Sequence, residues 1–273
     1  MNGSDTGKWL LLVFVLCLAM LLPYLPGRFD ASASTLSFVA QVASYVSALF
    51  APIGVAWLIF PRARRLWITL TLGMLTLTGL VVVLAAVAVN QLALGLILGL
   101  TMATALRSAH RRLRSGVGEP SSDARWQPAY LVLVPVALIA FRSTAIPRAA
   151  DWSRDRAIRH SAPLIAEIES FRERRGHYPL SLQSLHRDIP TGVIGLDRFH
   201  YQPSGDGYNL YFVRPHVEID AMEVVVFNPR DEHHFTAHEL DLLRYDGEEL
   251  DLRRGDRRRT ALAHPQWISI LFD

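Results

Sequence analysis

Long intervals without a charged residue dominate the first half of this chain. No Asp, Glu, Lys or Arg occurs between Lys8 and Arg28, Asp30 and Arg62, Arg65 and Arg107, or Arg125 and Arg142. A helix needs about 20 mostly apolar residues to cross the hydrocarbon core of a bilayer. The sequence therefore predicts an all-α membrane domain in the N-terminal half.

We predict five membrane-spanning helices in this half. Three intervals fit one helix each, near residues 9–26, 36–60 (with Pro52 as a kink) and 126–145. The interval 66–106 has room for two, and its polar pair Asn90–Gln91 predicts a tight turn between spans at 66–89 and 92–106. A polytopic membrane domain then covers residues 1–146, and a soluble domain covers residues 147–273.

The first apolar segment has an alternative interpretation as a cleaved signal peptide. The tripeptide Ala31-Ser32-Ala33 resembles a cleavage site. However, the spacer between the apolar run 9–22 and this site contains Pro23 and Pro26 and is longer than usual. An uncleaved span is therefore favoured.

The arginine clusters predict the orientation of the chain, because short cytoplasmic loops of membrane proteins are rich in Lys and Arg. The clusters 61–65 and 107–114 are the two candidate inside loops. This alternation places the N-terminus in the cytoplasm, the loop 27–35 outside and the C-terminal domain in the periplasm of a bacterial-type inner membrane. Charge alone does not fix the last crossing, since arginines are as frequent after it as before it; the earlier loops decide it.

Net charge differs sharply between the two halves. Residues 1–146 contain 11 Lys and Arg against 4 Asp and Glu, a net charge of +7, whereas residues 147–273 contain 17 against 21, a net charge of −4. The modest overall charge of +3 argues against a nucleic-acid partner, and the single cysteine, Cys17, excludes a disulfide scaffold. The partner that the sequence does predict is the lipid bilayer.

The predicted spans lack ionisable groups at membrane depth, which argues against ion transport and proton pumping. Arg142 is close enough to the end of its span to extend towards the headgroups. Small residues recur at helical spacing and predict close helix packing. Three such faces are Gly95, Gly99 and Ala103; Thr69, Gly73 and Thr76; and Ser37, Gln41, Ser44 and Ala48. The alternative is a neutral-solute pathway lined by Gln41, Ser44 and Tyr45.

The C-terminal part predicts an α+β domain in which one amphipathic helix packs on an antiparallel sheet. Apolar residues at a period of three to four predict a helix over 150–175 that ends at Gly176. Strand patterns follow at 199–202, 208–213, 222–227, 240–245, 248–252 and 267–272. Gly205-Asp206-Gly207 and Asp246-Gly247 predict two hairpin turns.

Three runs of this domain resemble the globular part of type II secretion pseudopilins and type IV pilins. They are APLIAEIESF at 162–171, GHYPLSL at 176–182 and GYNL at 207–210, with Leu185, Pro190 and Tyr201 between them. The resemblance covers roughly residues 129–213 and implies a helix that begins in the bilayer, a Gly-x-Tyr-Pro loop and a sheet. Tyr178 and Leu182 are expected to cap the core beside Phe171.

This chain departs from the prepilin pattern before that helix. Residues 125–130 read RWQPAY and contain neither the leader nor the cleavage glycine that prepilins carry. The calcium site of some pilins has no matching motif after residue 213. We therefore expect a permanently anchored, pilin-like module that serves interaction or scaffolding.

Two clusters in the C-terminal domain are candidate sites. On a helix, His234 and His238 would lie one turn apart and could share a zinc ion; on an extended chain they would be too far apart, and solvated loop histidines are the favoured interpretation. An arginine-rich cluster is a candidate surface for anionic headgroups, a polyanion or an acidic intramolecular partner. Its members are Arg253, Arg254, Arg257, Arg258 and Arg259.

Three functions follow from these features. The leading hypothesis is a non-enzymatic inner-membrane protein, without a cofactor, whose periplasmic domain binds envelope or secretion-system proteins. The alternatives are a channel or carrier for a neutral solute and a metal-dependent envelope hydrolase.

Overall fold

The computed structural model describes residues 3–88, 99–100, 103–104, 107, 127–185, 189–204, 206–215, 222–233 and 256–272. The chain divides into two compact units. One comprises residues 1–23 and 31–149, and the other comprises residues 24–30 and 150–273. The second unit thus contains a short segment from near the N-terminus in addition to the C-terminal domain.

The described part of the first unit consists mainly of helices. They are α1 (Gly3–Leu21), α2 (Ala31–Ser47), α3 (Phe50–Ile59), α4 (Arg64–Ala88) and the first part of α5 (Gln127–Arg175). Among the described residues, two helical segments are long and apolar enough to cross a membrane, Ala31–Ile59 and Gln127–Arg175. The apolar segments Trp9–Tyr24 and Arg65–Val81 are shorter, at 10–17 residues.

These segments correct the predicted spans in two places. Fewer than five helices meet the length criterion, and most of the predicted span 92–106 lies outside the described residues. The predicted span 36–60 is interrupted at Ala48–Leu49, before Pro52 rather than at it. The helix restarts at Phe50, so Pro52 lies in the first turn of α3. Proline is well tolerated there, since its missing N–H has no partner in a first helical turn.

The predicted last span and the predicted amphipathic helix are one continuous helix. Helix α5 runs from Gln127 to Arg175 and passes through Pro135, Pro147 and Pro163. We predicted a span at 126–145 and a helix over 150–175, and the resemblance to pilins implied a helix that begins in the bilayer and continues beyond it. The helix ends at Gly176 as predicted, with a φ of 75° and an N–H bond from Gly176 to the Arg172 carbonyl (2.7 Å).

Close helix packing in the first unit involves the small residues. Ser37 is buried and its hydroxyl donates to the Met20 carbonyl of α1 at 2.8 Å, while the Gln41 amide donates to Ser37 at 3.1 Å. At Gly54 a Cβ atom would lie 2.7 Å from the Pro128 carbonyl oxygen. Helix α3 therefore approaches α5 at a distance that only glycine permits.

An antiparallel sheet forms the C-terminal part, as predicted. Its strands are β1 (His200–Ser204), β2 (Gly207–Pro215), β3 (Met222–Phe227), β4 (Asp256–Ala261) and β5 (Trp267–Phe272), in the order β1-β2-β3-β5-β4. The register pairs Ser204 with Gly207, which confirms the first predicted hairpin. The predicted strands at 240–245 and 248–252 lie outside the described residues, and β4 was not predicted.

The core of this unit lies between α5 and one face of the sheet. Ile158, Leu164 and Ile168 of α5 are buried against aromatic and aliphatic side chains of the sheet. The sheet residues of this cluster are Tyr208, Leu210, Phe212, Val225, Phe227 and Trp267. Burial of one such side chain stabilises the fold by about 2 kcal/mol, so this face holds the helix on the sheet.

Candidate functional site

The segment between α1 and α2 is built into the C-terminal unit. Four residues of the segment 24–30 meet the segment 192–194: Pro26 forms an antiparallel bridge with Val193, and three backbone hydrogen bonds accompany it. They run from Gly27 N–H to the Gly192 carbonyl (3.2 Å), from Ile194 N–H to the Leu25 carbonyl (3.0 Å) and from Asp30 N–H to the Ile194 carbonyl (2.9 Å). We call residues 24–30 the docked loop.

Gly192 lies where the docked loop contacts the segment 192–194. Its φ of 76° lies in the left-handed region, and a Cβ atom there would lie 2.5 Å from Nδ1 of His160 on α5. Its carbonyl also accepts a hydrogen bond from Nε of Arg156 at 2.9 Å. Helix α5, the 192–194 segment and the docked loop therefore meet at a position where a side chain does not fit.

Gly27, in the docked loop, is also at a position where a side chain does not fit. A Cβ atom at Gly27 would lie 2.7 Å from Cγ1 of Ile194. Nothing in the local sequence reveals this pairing, since the two segments are separated by most of the chain. Gly27 and Gly192 were the signal that could have indicated a close contact between these two segments, and we did not predict their pairing.

A polar cleft of about 190 Å³ lies at one end of the helix-facing side of the sheet. Its walls contain three arginines, two acidic residues and two hydroxyl groups. The lining residues are Asp151, Arg154, Arg214, Glu223, Arg258, Thr260, Leu262, Ser269 and Leu271. The apolar face of the sheet ends at this cleft. Two positions from Phe212, Val225 and Trp267, on the same face of each strand, the residues are polar: Arg214, Glu223 and Ser269.

A buried ion pair forms one wall of this cleft. Glu223 accepts hydrogen bonds from Nε (2.8 Å) and a terminal nitrogen of Arg214, and from the Ser269 hydroxyl at 2.6 Å. A second terminal nitrogen of Arg214 donates to the Ala150 carbonyl at 2.7 Å. Burial alone would raise the pKa of Glu223, but the Arg214 charge and these hydrogen bonds together lower it below its ordinary value.

The Gly-x-Tyr-Pro loop covers the other end of the core. Tyr178, Leu182 and Phe171 pack against the core cluster as predicted. The Tyr178 ring lies edge-on to Tyr208 at 5.0 Å, and both hydroxyls contact the Glu169 carboxylate, that of Tyr208 at 3.1 Å. Burial, followed by the Glu169 charge, raises the pKa of Tyr208, so this group stays a neutral hydrogen-bond donor.

The predicted site residues have different outcomes. His234, His238, Arg253 and Arg254 lie outside the described residues, as does Gly95. In the part of the chain that the structure describes, no group of three His, Cys, Asp or Glu side chains could hold a metal ion.

Arg257, Arg258 and Arg259 belong to β4, and the side chains of Arg258 and Arg259 are exposed. Of the remaining packing residues, Gly99 lies against Val83 of α4, where a Cβ atom would be 3.7 Å from Cγ2, and Ala103 is exposed.

The polar residues proposed for a solute pathway form hydrogen bonds within α2 or between α2 and α5. The Ser44 hydroxyl is buried and donates to the Gln41 carbonyl at 2.7 Å. We expected Arg142 to extend towards the headgroups, but its side chain is buried. Its guanidinium lies 3.9 Å from the centre of the Tyr45 ring and hydrogen-bonds to the Tyr45 hydroxyl. A cation over an aromatic face is stabilised by the ring quadrupole, which explains the inward orientation.

A comparison of this chain with known protein families, with curated proteins and with solved structures finds no match.

Proposed function

We propose that this chain is a multi-pass membrane protein whose C-terminal domain, outside the cytoplasm, binds and scaffolds other envelope proteins. The docked loop supports this proposal most directly. It joins α1 to α2 and is hydrogen-bonded to residues 192–194 of the C-terminal domain. Two segments that pair in this way must lie on the same side of a membrane.

The docked loop also supports five crossings. An even number of crossings must separate the loop from the C-terminal domain if both lie on one side. The segments 31–59, 64–88 and the start of α5 account for three, so a fourth is required between residues 89 and 126. The apolar run 92–106 supplies it, and Gly99 in this run lies against α4. With the first helix, the total is five.

Arginine distribution supports the direction of these crossings. The residues 61–65 follow α3 and include the first two residues of α4, so they lie on the side opposite the docked loop in this topology. Three of these five residues are Arg62, Arg64 and Arg65. Because arginine-rich short loops stay in the cytoplasm, the docked loop and the C-terminal domain lie outside.

The position of β4 at the end of the strand order supports the interaction role. Strand β4 pairs with β5 on one side, and no strand within the described residues pairs with its other side. The side chains of residues 258–261 are exposed. A free edge offers unpaired N–H and C=O groups to an added strand, and the arginines favour an acidic partner segment.

Site-specific photo-crosslinking in membranes tests this role. A photoreactive residue at Ala261, on the β4 edge, should give a discrete crosslinked species with a partner protein. The same residue at Leu180, which is 84% exposed but far from this edge in the fold, is the matched control. Crosslinks that are absent at Ala261, or identical from both positions, would contradict a binding function of the edge.

A further inference from the structure

We propose that the polar cleft binds a phosphate-type anion through Arg154, Arg258 and Thr260. The cleft belongs wholly to the C-terminal unit and is formed by the start of its helical part and by four adjacent strands. Its walls hold Arg258, which makes no ion pair among the described residues, and Arg154, which pairs with the partly exposed carboxylates of Asp151 and Asp155.

The ion pair between Arg214 and Glu223 is internally complete. Both carboxylate oxygens of Glu223 accept hydrogen bonds, and three nitrogens of Arg214 donate them. Replacing such a buried pair by apolar residues is often neutral or stabilising, so packing alone does not require it. This pair fixes one polar wall of the cleft, so ligand binding would fall to the other charged groups of the lining.

Arg258 supplies an available cation. Its side chain is exposed, and it makes no ion pair within the described part of the chain. Thr260, two residues further along β4, lines the same cleft. Because alternate residues of a strand lie on the same face, Arg258 and Thr260 present a guanidinium and a hydroxyl side by side.

Arg154 supplies a second donor from α5. One terminal nitrogen pairs with Asp151 at 3.1 Å, and Nε lies 3.6 Å from the Asp155 carboxylate, beyond hydrogen-bonding distance. This Nε is buried and has no acceptor among the described atoms. Because this Nε is buried, an anion in the cleft would instead reach the terminal nitrogens of Arg154, where it would compete with Asp151.

The charge and size of the cleft define the ligand class. Three arginines and two acidic residues line it, which leaves one net positive charge. Guanidinium groups pair with phosphate oxygens in a planar, two-point geometry, and a hydroxyl completes such a site. A volume of about 190 Å³ accommodates a phosphate group with part of its substituent. A lipid headgroup and a soluble phosphate share this chemistry.

The test uses the full chain and compares two sources of phosphate. Unfolding temperature is measured in neutral detergent with increasing inorganic phosphate, and in phosphatidylcholine nanodiscs with and without phosphatidylglycerol. Both measurements use the wild type and three variants. Arg258→Gln removes the cation without an ion pair, Arg198→Gln removes another exposed arginine outside the cleft, and Asp151→Asn removes the competing carboxylate.

We expect Arg258→Gln to weaken the apparent affinity about tenfold, the effect of losing one charged contact. Arg198→Gln should bind like the wild type, and Asp151→Asn should bind more tightly. A response to inorganic phosphate identifies a soluble phosphate as the ligand, whereas a response only to phosphatidylglycerol identifies a headgroup. If neither source shifts the unfolding temperature, or if Arg258→Gln and Arg198→Gln weaken binding equally, the proposal is overturned.

Discussion

Replacing Gly192 with alanine should destabilise the C-terminal unit by about 3 kcal/mol. About 1 kcal/mol comes from the left-handed backbone, which L residues disfavour, and about 2 kcal/mol from forcing a methyl group into a packed site. The methyl group would lie 2.5 Å from the His160 ring, so either the ring or the backbone must move. The free energy of unfolding in urea, measured on the full chain in detergent, reports this loss.

The chain provides a matched control in Gly176. Its φ of 75° is nearly the same as that of Gly192, but a Cβ atom there would have no neighbour within 4 Å. Gly176→Ala should therefore lose only the backbone part, about 1 kcal/mol. Adding His160→Ala to Gly192→Ala should recover stability, because the clash is removed. Equal losses at the two glycines would show that the close approach to His160 is not a constraint.

The second large effect is expected at the buried ion pair. Glu223→Gln should cost about 3 kcal/mol, because Arg214 would remain buried without its counter-charge. Asp206→Asn, which breaks the exposed contact to Arg230 at 3.4 Å, should cost less than about 1 kcal/mol. Replacing both partners, as Arg214→Met with Glu223→Leu, should recover most of the loss. A Glu223→Gln variant as stable as Asp206→Asn would refute this assignment.

The same pair gives stability a pH dependence. Because the pKa of Glu223 is lowered on folding, its ionised form contributes stability that is fully present above the ordinary glutamate value and is lost as pH falls through the lowered pKa. Acid titration of the unfolding free energy should show this loss in the wild type. In the Glu223→Gln variant that part of the loss should be absent.

Local patterns predicted several elements of this fold. The runs 222–227 and 267–272 are rich in β-branched and aromatic residues, and they form β3 and β5 with these same bounds. The glycine at 176 ends the helix because it can adopt a positive φ. These features depend on neighbouring residues, which the sequence displays directly.

Other features depend on partners that are distant in sequence. Strand β4 has the sequence DRRRTA, which favours a strand only because β5 pairs with it. The predicted domain boundary at residues 146 and 147 falls inside α5, which runs through Pro147 without a break. The docked loop and the polar cleft are assembled from segments far apart in the chain, and neither segment of the docked pair has a motif of its own.

Cysteine labelling with a membrane-impermeant maleimide tests most directly whether the docked loop and the C-terminal domain share one side of the membrane. In a Cys17→Ser background, single cysteines replace Phe29 in the docked loop, Leu180 in the C-terminal domain and Pro61 before α4, all at exposed positions. In intact spheroplasts, we expect labelling at positions 29 and 180, and labelling at position 61 only after permeabilisation. Labelling of positions 29 and 180 from opposite sides of the membrane would contradict the proposed topology and the role of the docked loop.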